Sequence, residues 1–153
     1  MSDTDLSFSE IGKLGLAEIG EEKALPMGTY QFQIVKTKLV ENQSTKENAP
    51  AADFVISARP KSAKDDVTPS TLEGINLQDE VVYHRIPLFR RKDLHKVRRF
   101  AELVGVDVAT GDVETWGKAM QGSTFLAYVK HTQNKADPEG LPYVNLTAIG
   151  RDE

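Results

Sequence analysis

Glu80 to Val104 reads EVVYHRIPLFRRKDLHKVRRFAELV, and its hydrophobic period changes halfway along. Over Glu80–Phe89 the residues alternate. Val82, His84, Ile86 and Leu88 take one side, which reads as the core side, and Tyr83, Arg85 and Phe89 take the other. That period of two belongs to a half-buried strand. His84 is awkward there: it is either a satisfied core histidine or the mark of a shifted register. Pro87 has no N–H for a ladder, so the strand is expected at a sheet edge, or the proline at its end. From Asp93 the spacing becomes helical. Leu94, Val97, Ala101 and Val104 form a stripe that Phe100 and Leu103 widen, and Gly105 supplies a stop.

Two strands precede this stretch and two follow it. In TYQFQIVKTKLV (29–40) Tyr30, Phe32 and Ile34 alternate with polar partners, but the pattern then drifts. Lys36 and Lys38 fall on the phase that began apolar, which predicts a bulge or sharp bend. DFVISAR (53–59) is a second strand, closed by Pro60. A long polar connection from Lys61 to Gln78 follows. STFLAYVKH (123–131) is a fourth strand, with Phe125, Ala127 and Val129 inward and Tyr128 and Lys130 outward. PYVNLTAI (142–149) is a fifth, and Asp112–Met120 reads as a short second helix capped by Asp112. The fold class is therefore mainly β with one or two helices. Five strands with a helix between the third and fourth describe an OB-fold-like, partly open barrel. Another small barrel or an α+β sheet also satisfies the count. The domain is expected over 25–150. Residues 1–24 read as a flexible or partly helical arm.

The chain has 153 residues, enough for one domain with a single core, and no cysteine, which excludes disulfides and thiolate metal sites. The N-terminus carries early acids and no basic-then-apolar pattern, so no secretory signal is expected. No apolar stretch is long enough to cross a bilayer, and a cytoplasmic location is expected. Net charge is −4, yet it is unevenly spread. Arg85, Arg90, Arg91, Lys92, Lys96, Arg98 and Arg99 stand against the single acid Asp93 between Tyr83 and Phe100. That window carries +6, which leaves −10 for the rest. Such segregation sets a local positive field on an acidic body, though a solvated helix face gives the same composition.

Motifs for catalysis are missing. His84, His95 and His131 have no metal-ligand spacing, and there is no phosphate-binding glycine loop and no nucleophile elbow. The acid pairs Asp65-Asp66 and Asp79-Glu80 lie in loops. A binding protein is expected rather than an enzyme, with no cofactor and no metal. Single strands are held by cations that track phosphates and rings that stack on bases. The residue types for both are present: Tyr83, Arg85, Phe89, Arg90, Arg91 and Lys92 in and after the third strand, Tyr128, Lys130 and His131 on the fourth, Lys135 in the following loop, and Tyr143 and Asn145 on the fifth. Tyr30, Phe32, Phe54 and Phe100 are expected in the core, and Trp116 as a packing anchor.

Four segments carry a resemblance: LPMGTYQFQIVKTKLVEN (25–42), KVRRFAELVGVD (96–107), WGKAMQGSTFLAYVKH (116–131) and PYVNLTAI (142–149). Through them the chain resembles phage-encoded single-stranded-DNA-binding proteins with an OB-fold, found in replication and recombination gene clusters. The resemblance implies sequence-tolerant, cooperative coating of single-stranded DNA in the bacterial host cytoplasm, with replication or recombination proteins as further partners. Many such relatives carry a long acidic tail, whereas this sequence closes on Gly150-Arg151-Asp152-Glu153. That departure puts tail-mediated recruitment in doubt and leaves the acidic arm as a substitute. A protein–protein adaptor or structural phage component on the same barrel is the competing reading. RNA against DNA, and homo-oligomerisation, stay open.

Overall fold

A computed structural model describes residues 23–42, 49–133, 135–136 and 141–152; of the expected arm over 1–24, residues 1–22 lie outside them. Five strands, β1 (Gly28–Glu41), β2 (Ala52–Ala63), β3 (Val82–Leu88), β4 (Thr124–Thr132) and β5 (Tyr143–Arg151), form one antiparallel sheet in the order β3-β2-β1-β4-β5. Two helices, α1 (Leu94–Leu103) and α2 (Val113–Met120), lie between β3 and β4. The mainly β class and the helix position agree with the sequence. Closure of the barrel does not: β3 and β5 are the two ends of the sheet, and no ladder joins them.

The drift after Ile34 is a bulge. Ile34 opposes Ala58 and Lys36 opposes Ser57, so Val35 is the extra residue and stands 46 % exposed. One inserted residue exchanges the two faces of everything after it. Tyr30, Phe32 and Ile34 therefore point inward while Lys36 and Lys38 point outward. Pro60 does not close β2, which continues to Ala63. A second shift explains this. Gln31 opposes Ser62 and Phe32 opposes Pro60, so the proline sits beside a bulge, where a missing N–H is tolerated. The expected polar connection consequently starts later and holds two short 3₁₀ turns, Pro69–Leu72 and Leu77–Asp79. Pro87 sits on edge strand β3, as its chemistry requires.

Inward residues of both halves meet over an aromatic cluster. Phe32 stacks on Phe125 at 5.6 Å between centroids, and Phe100 from α1 meets Phe125 edge-on at 5.4 Å. Tyr30, Phe54 and Val97 are buried in the same core. Each such side chain contributes roughly 1.5–3 kcal/mol by leaving water. The Tyr30 hydroxyl donates to the Pro26 carbonyl at 2.7 Å, so its polar end is satisfied, and burial pushes its pKa up to about 12. Asp93 turns the chain from β3 into α1. Its Oδ2 accepts from the backbone N–H of Phe89 at 2.9 Å and of Arg90 at 3.0 Å, and these bonds hold its carboxyl below the usual range. Gly105, at φ 90°, ends α1: its N–H reaches the Glu102 carbonyl and that of Val106 the Ala101 carbonyl. Asp112 caps α2 through the Thr115 N–H, and the Trp116 indole donates to the Thr110 carbonyl.

Candidate nucleic-acid interface

The open seam between β3 and β5 is a cleft of about 770 Å³. Its walls are Glu80–Arg85 on one side and Leu141–Leu146 on the other, and Lys23–Leu25 also line it. The alternation of β3 turns Tyr83 and Arg85 outward, and β5 does the same for Tyr143 and Asn145. Four of the expected binding residues therefore line one opening. Tyr83 and Tyr143 are 57 % and 55 % exposed, so both rings are open to solvent at the cleft. Lys23 donates to the Glu73 carbonyl at 3.0 Å. One acid, Glu80, lines the cleft, and its partial burial together with neighbouring Asp79 raises its pKa.

A second, smaller cleft of about 330 Å³ continues along β3. It shares His84 and Arg85 with the first and is lined further by Lys96, Arg99, Phe100 and Ile149. The basic face of α1 thus opens onto the strand edge that carries Tyr83 and Arg85. Lys96 also pairs with Asp93 at 3.4 Å. The other ion pair among the described residues is Lys118–Glu114, so Arg85 and Arg99 have none. His84 faces inward: its ring lies 5.9 Å from that of Phe100, and desolvation lowers its pKa. It is a core-edge histidine, not a sign of shifted register.

The remaining expected residues fall into three groups. Tyr128 and Lys130 oppose Thr147 and Asn145 across the β4–β5 ladder, so they share the outer face with Asn145, and Tyr128 is half-buried. The Asn145 side-chain amide donates to the Thr132 hydroxyl. Phe89, Arg90, Arg91 and Lys92 are exposed at the turn into α1 and line neither cleft. His131 opposes Val144 on the inner side, and its Nε2 lies 2.7 Å from the Leu25 carbonyl. Against that acceptor the nitrogen must be the donor, so this ring ties down the segment before β1. Lys135 is exposed in the loop after β4.

Three cations are not legible from the sequence as site residues. Lys36, Lys38 and Arg59 stand on the outer face of β1 and β2, the same face as Tyr83 and Arg85. The one signal is the broken alternation after Ile34. Among the described residues no three His, Asp or Glu side chains group closely enough to hold a metal ion, and no helix is long and apolar enough to cross a membrane. A comparison of the chain with protein-family models finds no match, and a comparison with curated proteins finds none either.

Proposed function

We propose that this protein binds single-stranded nucleic acid, with DNA as the first candidate, in the seam between β3 and β5. Arg85, Lys96 and Arg99 meet phosphates, and Tyr83 and Tyr143 offer their faces to bases. The observation that carries the reading is the pairing of two half-exposed tyrosines across one cleft with an arginine that has no ion pair. Stacking accepts any base and phosphates carry no sequence, so binding of this kind is sequence-tolerant. It is binding without chemistry: no bond of the ligand is broken. The likeness of the four segments to phage single-stranded-DNA-binding proteins supports a role in phage replication or recombination.

Fluorescence anisotropy with an oligothymidylate of about 30 nucleotides, longer than any single-barrel site, tests this. Affinity is expected to fall linearly with salt on logarithmic axes, and to be similar for other base compositions. Arg85→Glu is expected to weaken binding strongly. No association at low salt overturns the proposal.

A further inference from the structure

β1 outruns its partner on one side. Its ladder with β2 extends to Glu41 opposite Ala52, whereas its ladder with β4 stops at Gln33 opposite Thr124. The last bonds on the β4 side join Ile34 to Gly122 and Ser123. From Lys36 to Glu41, then, β1 is paired by β2 alone among the described residues. The Asn42 N–H donates to the Ala51 carbonyl at 3.0 Å, which fixes the alternation of the ladder. Lys36, Lys38 and Val40 turn their backbone N–H and C=O groups toward β2, and Thr37, Leu39 and Glu41 turn theirs away from it. Such a row is a template for one more strand.

The two faces of this edge differ in chemistry. Thr37 and Leu39 oppose Ile56 and Phe54, which are buried, so they share the inner face. Beside that face α2 leaves a groove of about 370 Å³, lined by Leu39 and Phe54 on the sheet and by Val113 and Gly117 on the helix. Gly117 has no side chain to fill it, and Leu39 is 54 % exposed. Covering apolar surface of this kind is favourable. Lys36 and Lys38 stand on the outer face, exposed, and form no ion pair among the described residues. Glu114 and Lys118, at the groove, pair with each other at 3.7 Å.

We infer that the β1 edge beside α2 takes an extended polypeptide segment in which apolar residues alternate with acidic ones. A residue placed opposite a β1 residue points to the same face. Side chains across from Thr37 and Leu39 therefore enter the groove, and those across from Lys36 and Lys38 meet cations. The ladder sets the class of partner. A sugar–phosphate chain has no regular row of N–H and C=O groups to offer, and a peptide strand has. This surface lies between β1 and α2, apart from the seam between β3 and β5, and it does not rest on the seam reading.

Fluorescence anisotropy with a labelled peptide of about six residues, alternating valine and glutamate, tests this on the full chain. Binding is expected at low salt and should weaken as salt rises. N-methylation of one alternate set of peptide residues, the set whose N–H groups face β1, should abolish binding, and N-methylation of the other set should leave it. Serine in place of every valine should weaken it. Lys36→Glu/Lys38→Glu should weaken it by about tenfold, through two lost charge pairs and new repulsion, with thermal unfolding unchanged. Arg85→Glu, in the seam, should bind the peptide as the wild-type protein does. No binding at low salt, equal binding of the two N-methylated peptides, or a double variant that binds like wild type overturns the inference. Displacement of the peptide by an oligothymidylate overturns it too, because nucleic acid then occupies this edge. Failure of the wild-type protein to bind an oligothymidylate overturns the seam reading and leaves this inference standing.

Discussion

Tyr83 on β3 and Tyr143 on β5 line one cleft, although 59 residues of sequence separate them and no ladder joins their strands. Neither ring is needed for the core, which Phe32, Phe100 and Phe125 fill. Tyr83→Ala and Tyr143→Ala are each expected to cost about 1–3 kcal/mol of oligonucleotide affinity, the scale of one stacked base. Tyr83→Phe should retain most of it, because the face and not the hydroxyl stacks. Anisotropy titrations measure the first effect, and unchanged thermal unfolding shows that the domain is intact.

The core should respond in the opposite way. Phe125 touches both Phe32 and Phe100, so it joins the sheet to α1. Phe125→Ala is expected to destabilise the domain by about 3–5 kcal/mol through the missing ring and the cavity left behind. Urea denaturation followed by circular dichroism reads this directly.

Gly117 lets α2 approach β1. A Cβ placed there would lie 2.8 Å from the Thr37 Oγ1 and 3.4 Å from the Phe54 ring. Threonine is stiff about its first torsion and cannot simply swing away. Gly117→Ala is therefore expected to destabilise by about 1–3 kcal/mol despite its better helix propensity. Thr37→Ala, which opens the space, should return part of that loss in the double variant, as a coupling measurable by a double-mutant cycle.

Stability should fall on both sides of neutrality. The folded-state pKa of His84 lies below its ordinary 6.5, so the unfolded chain takes the proton more readily. That contribution is whole above pH 6.5 and shrinks as pH falls through it. Asp66, Asp93, Asp112 and Asp152 have folded values below 3.8; their contribution is whole above that pH and is lost as pH falls further. Glu80, raised by burial, works against them in the acid range. Tyr30, at about 12 against an ordinary 10, costs stability as pH rises above 10. Thermal unfolding at stepped pH should show a broad plateau, and His84→Leu should flatten the decline that begins as pH falls below 6.5.

Local chemistry is readable in the sequence and distant juxtaposition is not. The change of period at Asp93, the edge position of Pro87, the Asp112 cap and the bulge after Ile34 each follow from a few neighbouring residues. The extension of β2 through Pro60 escapes such a reading because it depends on a register shift opposite Gln31 and Phe32, which no single strand reveals. The seam escapes it for the same reason at longer range: it exists because two sheet ends, β3 and β5, approach without pairing. The basic run from Arg90 to Lys92 dominates the sequence, yet it lines neither cleft. Lys96 and Arg99, one to two helical turns further on, do.

Backbone amide hydrogen exchange with and without a saturating oligothymidylate locates the bound strand most directly. Slowed exchange is expected over Glu80–Arg85 and Leu141–Leu146, the two walls of the seam. Tight binding that leaves both walls unprotected, or that protects only the turn at Arg90–Lys92, contradicts a site between β3 and β5.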